Sequence, residues 1–329
     1  MTTTHRLLLV SDIHYASDAE KTRRDFRMAG VDNPVARLLL HAFHHVIWER
    51  DPFAHNHYLD GFLARVGNAD GVIANGDFSC DSAFIGVSDA AARESALTCL
   101  GRLRAQCGGQ FRAVIGDHEL GKRSMVGGLG GMRWESWRRT LDDLRIEPAW
   151  RQEIGRYVVI GVASSVLALD LFAGDLLNEE RAAWEEARAQ HWREVRAIFS
   201  RLESSQRVLL FCHDPSALPF LWRDDVVRAR LGQIEQTVIG HLHTPVVLWK
   251  SRLLAGMPQI HFLGHTVRRF SGALHEARHW RDFRVRLCPA LAGIELLKDG
   301  GFYAVDLDPG GSVPARFTLH RTASGKAPN

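Results

Sequence analysis

Ile115-Gly116-Asp117-His118-Glu119 closes a short apolar run, Phe111 to Ile115, with a glycine and then three ionisable side chains. The run reads as a buried strand, and the glycine turns the backbone sharply at its end. A solvated loop carries such a triplet by chance, so its weight comes from repetition. Leu7 to Val10 runs into Ser11-Asp12-Ile13-His14, and Val72 to Ala74 runs into Asn75-Gly76-Asp77. Val208 to Phe211 runs into Cys212-His213-Asp214, and Thr237 to Ile239 into Gly240-His241-Leu242-His243. Apolar runs that each end in Asp or His predict one sheet edge lined with metal ligands.

In order, the motifs are D-x-H, G-D, G-[ND]-H-[DE], H and G-H-x-H. This succession resembles the calcineurin-like metallophosphoesterase superfamily, over residues 7 to 245. The resemblance implies an α/β fold, a two-sheet mixed β-sandwich flanked by helices in four α/β/β/α layers. It also implies a metal-dependent phosphoesterase that cleaves a phosphomonoester, phosphodiester or pyrophosphate bond.

The residue types suit that chemistry. Phosphoester hydrolysis needs a nucleophile at neutral pH, compensation for phosphoryl charge and a proton for the leaving group. Two metal ions roughly 3.5–4 Å apart supply the first two. Asp77, a lone carboxylate after a glycine and between the other clusters, is the natural bridge. The resemblance assigns Asp12, His14 and His243 to one metal, and Asp117, His213 and His241 to the other. Residues i and i+2 on an extended segment point the same way, which would let Asp12/His14 and His241/His243 converge. Mixed Asp and His ligands favour two divalent or mixed-valence transition metal ions, Mn, Fe or Zn, over Ca or Mg. His118 falls where the family protonates the leaving oxygen, with Glu119 to orient or polarise it.

Two positions depart from the family pattern. Asp117 stands where the family usually has Asn, which adds a full negative charge to the second metal. The common G-D-x-x-D is stretched to Gly76-Asp77-Phe78-Ser79-Cys80-Asp81, so Asp81 receives no ligand role. The run Gly116 to Lys122 also fits the start of a phosphate-binding P-loop, but Arg123 replaces the required Ser or Thr. Its acidic side chains would repel phosphate. Lys122 and Arg123 remain candidates for touching a substrate phosphate.

Composition is that of an ordinary globular chain: 329 residues, 46% apolar, 24% charged, formal charge +3. So small a charge does not argue for nucleic acid. The five cysteines form no C-x-x-C pair, which predicts a reduced protein with buried thiols. Leu7 to Val10 is too short for a signal peptide, and no run approaches a membrane span, so a cytoplasmic location is expected.

One domain over 1–320 is expected, with a helical insertion at about 15–68, a basic segment at about 265–300 and a tail at 321–329. Within the insertion Pro34 opens a helix with apolar residues at Leu38, Leu39, Ala42, Phe43, Val46 and Ile47. It also carries His41, His44, His45, His55 and His57, for which a polar face is the simpler reading than a separate metal site. A second insertion helix is expected from Tyr58 to Val66, then helices from Ser88, around Trp134 to Leu144, and from Glu179 to Leu202 capped by Asn178. Val246 to Trp249, Ile260 to Leu263, Phe302 to Leu307 and Arg316 to Leu319 read as strands.

Substrate signals are thinner. Arg268, Arg269, Arg278, Arg281, Arg284 and Arg286 interleave with Phe270, Leu274, Trp280 and Phe283. That suits an anionic lipid, a peripheral membrane surface or a nucleic-acid backbone, and equally a basic face over core aromatics. A phosphorylated substrate, lipid-linked or nucleotide, is the expected partner. A nuclease, a cyclic-nucleotide diesterase and a catalytically silent metal-binding scaffold are the alternatives.

Overall fold

The computed structural model describes residues 4–23, 26–46, 51–124, 128–260, 265–292 and 300–322. Ten strands form two five-stranded sheets. The first holds β1 (His5–Val10), β2 (Gly71–Asn75), β3 (Phe111–Val114), β9 (Gly301–Leu307) and β10 (Arg316–Arg321), in the order β10-β9-β1-β2-β3. The second holds β4 (Ala149–Ile154), β5 (Tyr157–Val162), β6 (Arg207–Cys212), β7 (Ile234–Ile239) and β8 (Val285–Leu287), in sequence order. Each is mixed. β1, β2 and β3 run parallel while β9 is antiparallel to both β1 and β10. β5 through β8 are parallel, with β4 antiparallel at the edge.

The continuous apolar runs follow from burial on both strand faces. In β1, Leu7 and Leu9 face the second sheet with Ile73 and Val114, opposite Val159, Leu209, Phe211 and Val238. Leu8 and Val10 point the other way, into a core shared with Phe62, Leu100 and Leu103 of the covering helices. The period-2 alternation therefore splits one run between two cores. On the second sheet, the long helix Arg181–Ser200 buries Trp184, Val195 and Phe199. The helix Ala90–Cys107 covers the first, and Asp89 caps it by accepting from the amides of Ala91 and Ala92. The four α/β/β/α layers are as expected. Trp150 of β4 ties the sheets together, its Nε1 donating to the Ala113 carbonyl of β3 at 2.7 Å.

Several local expectations change. Val246 to Trp249 is not a strand but part of the helix Pro245–Leu253; Thr244 caps it and Pro245 occupies its first turn. A short apolar run does not reveal its period, and the cap was the stronger signal. Ile260 lies outside any strand, and 261–264 fall outside the described residues. Asn178 opens a 3-10 turn rather than capping the helix, which starts at Arg181, and its side chain takes the Arg181 Nε instead. β4 and β8 carry no strand signal in the sequence because both are edge strands of mixed polarity. β10 extends to Arg321, one residue into the expected tail.

The insertion forms helices Pro34–Val46 and Asn56–Leu63. The second packs Leu59 and Phe62 into the core. The first buries none of its residues: Val35, Leu38, Leu39, Phe43 and Val46 present an apolar face to solvent, Leu38 at 68% exposure. In the segment after 265, Leu274, Trp280 and Phe283 are core residues. The side chains of Arg268, Arg269 and Phe270 lie outside the described residues.

Candidate metal centre

The ligand motifs come from both sheets, not one edge. Asp12 and His14 follow β1, Asp77 follows β2 and Asp117 follows β3, while His213 follows β6 and His241 and His243 follow β7. Parallel strands deliver their carboxyl ends to the same side, and face-to-face packing brings the two edges together. The single-edge expectation fails because strand runs alone do not say which sheet each joins.

Side-chain-free approach is essential at that seam. A Cβ on Gly240 would collide with Ser11 Oγ and Asp12 Oδ2, so only glycine lets β7 come this near β1. Gly76 has φ +87° and lies against the His213 ring.

The two D-x-H and H-x-H pairs converge, though not through extended backbone as expected. Asp12, His14, Asp77, His241 and His243 all have left-handed backbone, with φ of 51°, 47°, 58°, 58° and 60°. The residues after β1 donate to those after β2, Asp12 N to Gly76 O at 3.1 Å and His14 N to Asp77 O at 3.0 Å. This loop ladder spans Asp12, His14 and Asp77, whereas His241 and His243 are turned locally by the Leu242 amide on the Gly240 carbonyl and the Thr244 amide on the Leu242 carbonyl, both at 2.6 Å. Such conformations cost about 1–3 kcal/mol each and cluster where function demands them.

All seven residues named from the sequence meet. Asp12, His14, Asp77 and His243 each bring a ligand atom within 4.8 Å of one another, as do Asp77, Asp117, His213 and His241. Asp77 is common to both sets. Asp81 belongs to neither; it is buried, accepts the Gly86 amide, and burial raises its carboxyl well above the usual range. Among the described residues, none of the insertion histidines joins such a group.

The histidines are held from behind. The His213 Nδ1–H donates to the Asn75 carbonyl at 2.5 Å, which places Nε2 3.2 Å from both Asp77 Oδ1 and Asp117 Oδ1. The Ser79 carbonyl accepts from His14 Nδ1 at 3.3 Å and from His118 Nδ1 at 3.1 Å. His14 Nε2 then faces His243 Nε2 at 3.4 Å, and His243 Nε2 lies 3.0 Å from Asp12 Oδ1. His241 is turned the other way, with Nδ1 2.9 Å from Asp117 Oδ1. Backbone carbonyls that fix the tautomer and aim the free nitrogen are the usual outer support of a metal site.

The electrostatics call for cations. Burial and Asp117 oppose ionisation of Asp77, yet His118 and His213 outweigh them and hold its carboxyl below its ordinary range. Burial would lower His213, but Asp77 and Asp117 raise it well above the usual imidazole value. Asp77 Oδ2 is buried and has no hydrogen-bond partner among the described residues. Facing carboxylates, opposed imidazole nitrogens and an orphaned buried oxygen fit a pair of transition metal ions.

His118 projects beside the sets, its Nε2 3.7 Å from Asp77 Oδ2 and its ring against His14. Burial lowers its pKa to about 4. Glu119 does not orient it. The Glu119 carboxylate instead accepts the amides of Gly116 at 2.8 Å, Asp77 at 3.0 Å and Phe78 at 2.8 Å, stitching two ligand loops together. The Ser79 carbonyl is the group that positions His118, a main-chain role with no side-chain signature. Asp117 likewise makes no bond to His118; its partners are His213, His241 and Lys122. Arg123 is committed to the Gly128 carbonyl.

The fold is consistent with the metallophosphoesterase-like architecture that the motifs imply. Two mixed sheets in four layers, with Asp and His at the carboxyl ends of five parallel strands and one shared aspartate, agree with it. No protein-family model and no curated protein matches the chain. Among solved structures the chain is similar to a phosphopantetheinyl hydrolase from Mycobacterium tuberculosis, 14% identical, TM-score 0.34, over 74% of this chain and 85% of that one. It is also similar to a dimetal phosphatase from Danio rerio, 12% identical, TM-score 0.41, over 96% and 98%. The metallophosphoesterase-like reading rests on the strands and ligand sets of this chain, not on those likenesses.

Proposed function

We propose that the chain is a dinuclear metal-dependent phosphohydrolase that cleaves a phosphomonoester, phosphodiester or pyrophosphate bond. The observation that carries this is Asp77, shared by two complete Asp/His sets, with one buried oxygen lacking a hydrogen-bond partner among the described residues. When bound, two ions of Mn, Fe or Zn would supply a hydrolytic nucleophile near neutral pH and offset charge on the phosphoryl oxygens. Asp12, His14, Asp77 and His243 would hold one, and Asp77, Asp117, His213 and His241 the other.

The remaining work falls to the chain itself. His118, steadied by Ser79, offers Nε2 at the edge of the site. Its low pKa reflects burial, and an anionic phosphoryl group beside it would raise that value again. His118 is thus placed to pass a proton to the leaving oxygen. Glu119 fixes the relative position of the loops carrying Asp77 and Asp117.

The test joins metal content to activity. Elemental analysis should find two transition metals in the purified protein and neither in Asp77→Asn. Hydrolysis of p-nitrophenyl phosphate or bis-p-nitrophenyl phosphate should disappear with them. Full metal content in Asp77→Asn would reject the shared ligand.

One observation favours a second, narrower reading, a lipid-linked phosphoester met at a membrane surface from the cytoplasm. The Pro34–Val46 helix exposes its apolar face and has Arg37 and three histidines but no acidic residue. No described helix is long and apolar enough to cross a membrane. Cosedimentation with anionic phospholipid vesicles, lost in Leu38→Asp/Leu39→Asp, tests it; a parent protein that stays in the supernatant removes it.

A further inference from the structure

We propose that Lys122 is a positioning and charge-balancing residue of the second ligand set, offsetting Asp117 so that the pair acts toward a metal as a nearly neutral oxygen donor. The inference rests on the reading of Asp117 as a ligand.

The two oxygens of Asp117 have divided tasks. Oδ1 lies among the ligand atoms, 2.9 Å from His241 Nδ1 and 3.2 Å from His213 Nε2. Oδ2 lies 2.7 Å from Lys122 Nζ. The Asp117 side chain is 4% exposed and that of Lys122 28%, so water screens the pair only in part.

The contact is built by the backbone rather than found by a wandering surface lysine. Asp117–Leu120 makes a single helical turn, closed by the Gly121 amide on the Asp117 carbonyl at 2.9 Å. Gly121 then has φ +90°, and a Cβ there would strike the Gly131 carbonyl and the Ile85–Gly86 backbone. Only glycine allows this reversal, which returns the next residue, Lys122, over the carboxylate that opened the turn.

The consequence is specific. Asp77 and Asp117 serve one metal position together, and a full charge from each would bind a cation tightly but blunt it as a Lewis acid. An ammonium on the far oxygen withdraws part of that charge while leaving Oδ1 aimed inward. A lysine that merely propped the carboxylate would act differently: its loss would loosen the ligand and weaken the metal. Charge balance predicts the opposite sign.

Affinity for Mn or Zn at the second site, measured by chelator competition on the full chain, separates these. Lys122→Met should tighten it by about tenfold, the size of one partly screened charge removed beside another. Asp117→Asn, which leaves the ammonium uncompensated, should weaken it by at least as much. The double variant should return within about threefold of the parent, and Lys122→Arg should stay there too, because the charge is kept. Without metal, Lys122→Met should melt lower than the parent; with metal saturating it should not, which controls for misfolding. Weaker or unchanged affinity in Lys122→Met, or a double variant as weak as Asp117→Asn, would overturn the proposal. A parent protein that takes up no metal would instead overturn the ligand reading beneath it.

Discussion

Replacing Glu119 with Gln should destabilise the fold by about 3–5 kcal/mol, although the change alters one atom. Glu119 is fully buried, and every hydrogen bond it makes is to a donor: Oε2 accepts from Gly116 and Asp77, and Oε1 from Phe78. Glutamine can keep one oxygen against the first two amides. Its NH2 group must then face the Phe78 amide, donor against donor. A charge-assisted hydrogen bond is worth about 1.5–3 kcal/mol and an orphaned buried amide costs about 1–3 more. Against a typical total of about 5–15 kcal/mol, the variant should still fold, whereas Glu119→Ala would orphan all three amides. Urea unfolding monitored by tryptophan fluorescence at pH 9, where Glu119 is ionised, measures the difference. The competing force is burial, which together with Asp77 pushes the Glu119 carboxyl up to about 8. A protonated Glu119 resembles glutamine, and a substitution costing under 1 kcal/mol would refute the anionic clamp. A change confined to the pH–rate profile, with stability intact, would restore the role of orienting His118.

His118→Asn should keep both metals and slow hydrolysis by about 10²–10⁴-fold on substrates with poor leaving groups, as expected for a lost proton donor. The loss should shrink for p-nitrophenolate, which leaves without a proton; equal losses on both would exclude the role. In the insertion, burial holds His55 at about pKa 4. The unfolded chain therefore takes up its proton first, so stability is complete above pH 6.5 and falls by up to about 3 kcal/mol as pH drops toward 4. His55→Gln should flatten that slope in hydrogen exchange of the insertion, and parallel profiles would show that another group controls it.

Much of the centre was legible because its chemistry needs particular residue types at strand ends. Five apolar runs, each closed by Asp or His, named all seven residues that the structure brings together. The burial of β1 on both faces could be read from its unbroken Leu-Leu-Leu-Val run. What the sequence could not say was decided by contacts between distant segments. Which sheet each strand joins depends on pairing partners far apart in the chain. The left-handed turns at Asp12 and His14 go with hydrogen bonds to the loop after β2, a distant partner that neither residue's own neighbours specify. Glu119 was placed correctly beside His118 in sequence, yet the helical turn between Asp117 and Leu120 points its carboxylate at the amides of another strand's loop. Lys122 looked like a loop cation free to meet substrate until Gly121 reversed the chain and set it on Asp117. Local sequence determines which groups are available for chemistry; the packing of the two sheets decides which of them face each other.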